Sequence, residues 1–268
     1  MDVKQEIIKL NKKRGETPLE CILRFKNENP NYKEEKMTYA GRLDPMAEGL
    51  LLVLVGEECK NKEKYLKFDK KYEVDVLFGF ATDTYDILGK VTHCLCEEQG
   101  DEAIQNTYNY KSRLLHSVRN DISSFICRFS QKYPPFSSKT IKGKSLFFLF
   151  KSGELRDEEI PEKEVEIKDI IIKGSRTIFK NDLEKYIADS VGLVKGDFRQ
   201  KEILKIWKRE LRHCEQGEAI QEFQVVSIKV NCTSGTYMRS LANSIGEKIG
   251  IPALALNIKR TKIGEYIL

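Results

Sequence analysis

The residues best suited to chemistry lie in one short loop, residues 41–49, whose sequence is GRLDPMAEG. Proline disfavours the helical conformation in the residue before it, so Pro45 is expected to fix the angle of the Asp44 carboxylate. The apolar run Leu50 to Val55 is typical of a strand buried on both faces, which would anchor the loop. A fixed carboxylate can act as a nucleophile or as a proton acceptor. The same string, taken alone, also fits an Asp-Pro turn that begins a helix.

A second segment, residues 128–151, combines positive charge with aromatic side chains and contains no acidic residue. Lysines can neutralise RNA phosphates, and aromatic rings can stack on bases or pack the segment against a core. The pattern fits a nucleic-acid-binding segment and fits equally a solvated face over core aromatic residues. The basic residues are Arg128, Lys132, Lys139, Lys142, Lys144 and Lys151.

Composition narrows the classes of protein. The chain has 268 residues, with 46 basic against 41 acidic side chains and a formal net charge of +5, a mild excess compatible with RNA binding. No apolar run approaches the length of a membrane span. The seven cysteines form no paired framework, which favours reduced thiols and a cytoplasmic location. With three histidines and no zinc-finger spacing, we expect neither a metal site nor a cofactor.

Hydrophobic periodicity indicates the elements that must position these residues. Alternating apolar residues predict strands over residues 72–78 and 226–232, and helical spacing predicts helices over 19–25 and 238–249. Residues 79–89 are polar and predict a loop. Because strands and helices mix without a regular βαβ rhythm, we expect an α+β fold. Its central sheet should be mixed and largely antiparallel, flanked by helices and loops, within one domain of 268 residues.

Several segments resemble, in order, motifs of the TruB family of pseudouridine synthases, which modify the T-loop uridine of tRNA. Residues 41–49 resemble the catalytic loop of that family, and the basic residues 128–151 correspond to its RNA-gripping thumb segment. One such motif is weak evidence, whereas several in the same order are specific. The other matching segments are Lys12 to Pro18 (KKRGETP), Asp69 to Val74 (DKKYEV), Gly79 to Gly89 (GFATDTYDILG), Cys232 to Leu241 (CTSGTYMRSL) and Leu256 to Gly264 (LNIKRTKIG).

The resemblance implies a pseudouridine synthase fold and a role for each matching residue. Asp44 would be the nucleophile on a flipped-out uridine, attacking either C1′ or the base. Arg239 would pair with Asp44 through both arms of its guanidinium and keep it ionised. Tyr72 would stack on the uracil and could take the C5 proton. The residues expected to contact RNA are Lys12, Tyr39, Arg42, Lys132, Lys139, Lys142, Lys144 and Arg260. Lys12 could instead support the catalytic loop.

Three positions depart from the family pattern. Lys13 stands where the first motif has proline, and Tyr39 stands where the family usually has a histidine that stacks in the T-loop. Arg42 replaces a usual threonine, which gives a Gly-Arg-Leu-Asp string also seen in related synthases that act on ribosomal RNA. The open functions are therefore a T-loop tRNA pseudouridine synthase, a synthase for another structured RNA, or an RNA-binding helper of tRNA folding.

The resemblance also implies partners and boundaries. We expect the T-arm of tRNA as the partner, no membrane contact, and a monomer. No RNA-binding PUA domain, which many family members carry at the C-terminus, is expected in this chain, which ends at Leu268. Two similar polar strings, CEEQGDEAIQ at residues 96–105 and CEQGEAIQ at residues 214–221, are interpreted as surface insertions without chemistry.

Overall fold

The computed structural model describes residues 6–95, 114–141, 143–154, 159–213 and 222–268. Lys142 and the two similar polar strings lie outside these residues. The strands are β1 (Ile7–Lys12), β2 (Met37–Tyr39), β3 (Ala47–Val55), β4 (Lys70–Phe78), β5 (Phe80–Thr82), β6 (Val91–Cys94), β7 (Arg128–Lys132), β8 (Thr140–Ile141), β9 (Lys144–Ser145), β10 (Glu162–Phe179), β11 (Glu222–Cys232), β12 (Ala253–Ile263) and β13 (Tyr266–Ile267).

The same described residues form fewer α-helices than strands. They are α1 (Pro18–Glu28), α2 (Lys62–Leu66), α3 (Leu146–Lys151), α4 (Lys180–Gly192), α5 (Gln200–His213) and α6 (Met238–Ile249). Residues 114–121 are also helical. Short 3₁₀ turns lie at Pro30–Tyr32, Gly56–Asn61 and Ile122–Phe125. None of the described helices is long and apolar enough to cross a membrane.

A nine-stranded sheet forms the centre of the fold, in the order β1-β3-β12-β4-β11-β10-β7, with β2 beside β3 and β13 beside β12. Strands β3 and β12 run parallel, and the other neighbouring pairs of this sheet are antiparallel. The expected α+β class with a mixed, largely antiparallel sheet is confirmed. The strands predicted over 72–78 and 226–232 are β4 and β11, and they pair with each other.

The predicted loop over residues 79–89 is correct only in part. It begins with β5, which pairs with β6. Phe80 of β5 is fully buried, and its ring lies between those of Trp207 and Phe223, at centroid distances of 5.0 and 4.8 Å. Burial of this aromatic side chain draws the start of a polar segment into strand pairing, whereas the remaining residues form the loop that reaches the candidate site.

The two faces of the sheet carry different helices. Val76 and Leu77 are adjacent in β4, so their side chains point to opposite faces. Val76 packs in one core cluster with Leu241 of α6. Leu77 packs in another with Leu183 of α4 and Trp207 of α5. The helix α6 therefore covers one face of the sheet, and the pair α4 and α5 covers the other.

Gly49 lies where β3 pairs in parallel with β12, directly after the loop that carries Asp44. Its φ angle is +100°, and a Cβ atom built there would lie 2.3 Å from the carbonyl oxygen of Arg260. Any side chain would therefore be strained and would overlap the backbone of the neighbouring strand. Glycine is required for the loop and the strand to join at this point.

We predict that Gly49→Ala lowers the free energy of unfolding by about 3 kcal/mol or more, because backbone strain and overlap add. Gly250→Ala is the matched control, since its φ is +71° but no atom lies within 4 Å of the added Cβ. The control should lose about 1 kcal/mol, the cost of a positive φ alone. Urea unfolding of both variants measures the difference, and equal losses would contradict the steric contribution.

Candidate active site

A buried arginine holds the backbone on one side of Asp44. The Arg260 side chain is 1% exposed. Its guanidinium donates to the carbonyl oxygens of Gly41 (3.0 Å), Arg42 (3.2 Å) and Leu50 (2.8 Å). The expectation that Arg260 contacts RNA is therefore wrong in this structure, because burial and three backbone contacts commit the side chain to the loop. Arg260 positions the segment that leads into Asp44.

A buried lysine holds the backbone on the other side of Asp44. Lys12 is 0% exposed, and its ammonium donates to the carbonyls of Lys13 (3.0 Å), Pro45 (3.3 Å) and Ala47 (2.5 Å). Burial lowers the pKa of Lys12 to about 8, and the charges of Glu16 and Asp44 raise it against that effect. Of its two expected roles, the structure places Lys12 in the support of the loop. Its ammonium does not face solvent, where a phosphate would bind.

Asp44 forms an ion pair with Arg239 of α6. The Nε atom of Arg239 donates to Oδ2 of Asp44 at 2.9 Å, and Nη1 donates to the carbonyl of Thr84 at 2.9 Å. The expected pair is therefore present, but the expected two-armed contact is wrong. One arm of the guanidinium is used by the loop at residues 82–89, so the arginine joins two loops at once. The Asp44 side chain is 30% exposed, against 4% for Arg239.

A second carboxylate, that of Asp86, completes this charge cluster. Its Oδ2 lies 3.7 Å from Nε of Arg239, and its Oδ1 accepts from the Thr84 hydroxyl (2.6 Å) and the Leu88 amide (2.9 Å). Burial raises the pKa of Asp86, and Arg239 is the largest influence that lowers it. Burial also lowers the pKa of Arg239, but the charges of Asp44 and Asp86 turn the net shift upward. The arginine is thus held charged between two carboxylates.

The placement of Arg239 is unfavourable for a helix considered alone. It lies in the first turn of α6, where the helix dipole is positive and disfavours a cation. Gln131 of β7 holds this end of the helix, because its side chain accepts from the Tyr237 amide (2.8 Å) and donates to the Tyr237 carbonyl (3.2 Å). The two carboxylates and the fixed start of the helix therefore stabilise Arg239 at a position where the helix dipole disfavours a cation.

Asp44 and Arg239 line a partly open cavity. Both charged side chains and aromatic rings line the cavity. Its lining residues are Asp44, Pro45, Thr84, Asp86, Leu88, Phe136, Phe147, Phe198, Arg199 and Arg239. Flat apolar surfaces facing a fixed ion pair suit a planar polar ligand such as a nucleobase.

Arg199 connects the aromatic wall of the cavity to the loop at residues 82–89. Its guanidinium carbon lies 4.1 Å from the ring centroid of Phe136, and Nη1 lies 2.7 Å from Oδ2 of Asp83. The backbone of Arg199 has a φ of +64°, which is uncommon for a residue with a side chain. Both the ion pair and the cation–π contact are partly shielded, so each is stronger here than at an open surface.

Tyr72 lies beside the catalytic loop but not on the cavity wall formed by the described residues. It is in β4, opposite Arg260 of β12, and is 7% exposed. Burial raises the pKa of Tyr72, and the nearby charge of Arg260 lowers it against that effect. The phenol is therefore neutral at physiological pH. Its stacking on a base stays a proposal.

The other residues expected to contact RNA lie at several places. Arg42 is exposed beside Asp44. Tyr39 is half-buried in β2, where it packs on the cluster that contains Cys21, and its ring centroid lies 5.4 Å from Nζ of Lys62. Neither Tyr39 nor Arg42 is part of the cavity lining described above.

The thumb segment keeps its cations at the surface. Lys132, Lys139 and Lys144 are exposed. Nζ of Lys139 lies 5.3 Å from the ring centroid of Tyr133, and Lys144 forms an ion pair of 2.7 Å with Glu154. Exposed pairs of this kind contribute about 0–1 kcal/mol, so they leave these side chains available to a phosphate.

Two site residues escaped the sequence analysis as functional candidates. Asp86 was quoted within a polar segment, but no local pattern distinguishes it from Asp83, and only burial against Arg239 does. Arg199 precedes an amphipathic helix in a charged stretch, and its sequence neighbours carry no signal that it would reach Asp83.

The fold and the site together define a class of nucleic-acid-modifying isomerases, and comparison with known proteins supports that class. The model of the TruB family pseudouridylate synthase N-terminal domain matches residues 30–184, more than half of the chain. The chain belongs to the TruB family of pseudouridylate synthases.

Curated relatives extend this similarity over nearly the whole chain. The tRNA pseudouridine synthase B of Ligilactobacillus salivarius is 28% identical over 262 residues, which cover 97% of this chain and 68% of that protein. The tRNA pseudouridine synthase B of Aquifex aeolicus is 28% identical over 256 residues, which cover 96% of this chain and 67% of that protein. The chain therefore spans about two thirds of the length of these relatives.

Solved structures show the same fold at lower sequence identity. A chain of a Cbf5-Nop10-Gar1 complex matches with a TM-score of 0.51 at 15% identity, covering 97% of this chain and 50% of that one. A chain of an H/ACA RNP bound to a substrate RNA containing 2′-deoxyuridine matches with a TM-score of 0.50 at 14% identity, covering 97% and 48%. This chain thus spans about half the length of the solved chains that it matches, and the likeness concerns the fold.

We predict that Arg239→Lys lowers the single-turnover rate of uridine isomerisation by at least about two orders of magnitude, or roughly 2.7 kcal/mol of transition-state stabilisation. Lysine keeps the charge, but one ammonium cannot span Asp44, Thr84 and Asp86. A filter-binding constant on the same RNA should change little. A normal rate at saturation with weakened binding would instead make Arg239 a phosphate contact.

We further predict that Lys12→Met lowers the rate at saturating RNA by at least about tenfold, because methionine fills the space but leaves the loop carbonyls without a donor. Lys70→Met is the matched control. Burial likewise lowers the pKa of Lys70 to about 8, but its ammonium donates to the carbonyls of Leu66 (3.0 Å) and Phe68 (2.6 Å) rather than to carbonyls of the Asp44 loop. Urea unfolding should show similar losses for both variants. A rate loss of the same size in the control would count against a specific role of Lys12.

Proposed function

We propose that this chain isomerises a specific uridine to pseudouridine in the T-loop of tRNA, with Asp44 as the nucleophile. The proposal rests on one observation above the others. Asp44 is held on both sides by buried cations that bind its loop, and it is paired with a buried arginine in a cavity that aromatic rings also line. The names of the curated relatives, tRNA pseudouridine synthase B, support tRNA as the substrate.

The reaction requires a fixed carboxylate rather than a redox group. The bond between N1 and C1′ breaks, the uracil turns, and a bond between C5 and C1′ forms. One proton leaves C5 and N1 gains one, so the atoms of the nucleotide are conserved. An ionised Asp44 can add to C1′ as the N1–C1′ bond breaks and leave as the C5–C1′ bond forms, or it can add to the base and be eliminated after that bond has formed. Both routes use the same carboxylate and restore it. Lys12 and Arg260 keep that carboxylate from moving as the base turns.

The target uridine must leave its stack to reach Asp44. The aromatic wall of Phe136, Phe147 and Phe198 offers the extruded base an apolar surface that offsets the lost stacking. Arg239 is already neutralised by two carboxylates, so it orients Asp44 rather than competing for an RNA phosphate.

We assign Tyr72 to the uracil as a stacking surface. Burial raises the pKa of Tyr72, which favours a neutral phenol and therefore stacking over proton transfer as its main contribution. Residues 1–268 act as one catalytic domain in this proposal, and the chain works as a cytoplasmic monomer. Arg42 and Tyr39 contact the tRNA in this proposal. The thumb lysines Lys132, Lys139, Lys142 and Lys144 contact the T-arm backbone.

We predict that Asp44→Asn lowers pseudouridine formation by at least about three orders of magnitude, or about 4 kcal/mol, because asparagine keeps the shape but loses the nucleophilic charge. Binding of unmodified tRNA transcript should stay within about threefold, since no phosphate contact is removed. Position-specific mapping of pseudouridine after incubation, together with a binding titration, measures both quantities.

The control for this experiment is Asp83→Asn. Asp83 is a nearby carboxylate that is already paired with Arg199 at 2.7 Å, and the amide oxygen of asparagine can still accept from the guanidinium. Its rate should stay within about tenfold of the wild type. Activity of Asp44→Asn within tenfold of the wild type would falsify the nucleophile assignment. Pseudouridine formed in the transcript but outside the T-loop would overturn the proposed T-loop specificity, and the proposed isomerisation reaction would still stand.

A further inference from the structure

The connection between β10 and β11 is far longer than the sheet requires. The two strands are antiparallel neighbours, and their register places Phe179 directly opposite Glu222. A turn of about two residues joins antiparallel strands that end in this way. The chain instead uses residues 180–221, of which 180–213 form α4, its connection and α5. We call residues 180–213 the α4–α5 arm. Its presence is not explained by the topology of the sheet.

The arm is fixed to the molecule by its buried face. Trp207 is 1% exposed, and its indole nitrogen donates to the carbonyl of Gly89 at 3.1 Å. Ile203 and Leu211 are fully buried in the same cluster. Glu202 forms an ion pair of 2.6 Å with Lys90. The helix α5 is therefore held against the segment that follows the site loop, and its outer face keeps a fixed orientation.

The outer face of α5 carries a row of cations, which we call the α5 stripe. It consists of Lys201, Lys205, Lys208 and Arg212, all of them exposed. At 3.6 residues per turn, these spacings of four, three and four place the four side chains within about 60° of the helix circumference. None of the four forms an ion pair with another of the described residues, whereas the charged neighbours Glu202 and Arg209 are both paired.

The stripe begins at the candidate active site. Helix α5 starts at Gln200, and the two residues before it, Phe198 and Arg199, line the cavity beside Asp44. From Lys201 to Arg212 the helix rises about 17 Å. A row of positive charge, unpaired among the described residues, therefore leads away from the cavity wall over a distance that covers several nucleotides of an RNA backbone.

We propose that the α5 stripe binds the phosphate backbone of the RNA strand that flanks the target uridine. This inference rests on the proposed function, because that function brings a structured RNA to the cavity. Four cations at successive turns match the repeated negative charge of a backbone better than a single anionic ligand. The arm extends the RNA-binding surface beyond the thumb segment, and the rigid docking of α5 keeps the ordering cost of this contact low.

The test compares two variants that lose the same charge in the full chain. Lys201, Lys205 and Lys208 are changed together to glutamine, which preserves side-chain length and helix propensity. In the control, Lys9, Lys33 and Lys36 are changed to glutamine. These three are exposed and lie on or near β1 and β2, at the opposite end of the sheet order from β10. Thermal unfolding of both variants checks that the fold is kept.

Binding of unmodified tRNA transcript is measured from low to moderate salt. Loss of three phosphate contacts should lower the slope of log K against log salt by about 2 to 3 and weaken binding at about 0.1 M salt by tenfold or more. The control variant should keep the wild-type slope. An unchanged slope in the stripe variant, or an equal fall in the control, overturns the proposal. Binding to anionic lipid vesicles through the stripe, with the RNA slope unchanged, also overturns it.

Pseudouridine formation by the wild-type chain in the same transcript separates this inference from the function on which it rests. Pseudouridine formed together with an unchanged slope overturns the stripe and keeps the proposed function. No pseudouridine, together with a lower slope in the stripe variant alone, overturns the function and keeps the stripe as an RNA contact.

Discussion

The ion pair between Asp44 and Arg239 sets the constraint that the rest of the fold satisfies. The two residues are 195 positions apart in sequence, and the arginine is almost fully buried. A buried charge costs several kcal/mol unless it is paired and hydrogen-bonded. Three separate segments, the loop at residues 41–49, the loop at residues 82–89 and the first turn of α6, must therefore meet at one guanidinium. The central strands and Gln131 bring them there.

Two buried cations beside the ion pair fix the position of Asp44 at a cost in folding stability. Lys12 and Arg260 are buried cations whose described hydrogen bonds run to backbone carbonyls rather than to a carboxylate. Apolar residues of similar volume would be easier to bury. Carbonyl contacts, however, hold the chain on both sides of Asp44 and fix the position of its carboxylate. The lowered pKa of Lys12, about 8, records the cost of burial that this arrangement carries.

The aromatic wall of the cavity shows how distant elements share one site. Phe136 and Phe147 come from the thumb segment, whereas Phe198 comes from the α4–α5 arm. Arg199 joins the two, with its charge on Asp83 and its planar face on Phe136. The arm is therefore part of the site as well as a cover for one face of the sheet, and the α5 stripe is a continuation of that wall.

Local pattern predicts β3 from a continuous apolar run, β4 and β11 from alternation, and α6 from helical spacing. Each pattern reflects which sides of the element face a core. Ordered motifs add the catalytic role of Asp44 and its pairing with Arg239. Tertiary structure alone decides the rest. The motif resemblance predicts an RNA contact for Arg260, yet the parallel pairing of β12 with β3 places its side chain against the carbonyls of the catalytic loop. Arg199 reaches the cavity through contacts more than a hundred residues apart, such as that with Asp83. Sequence spacing carries no information about contacts of that range.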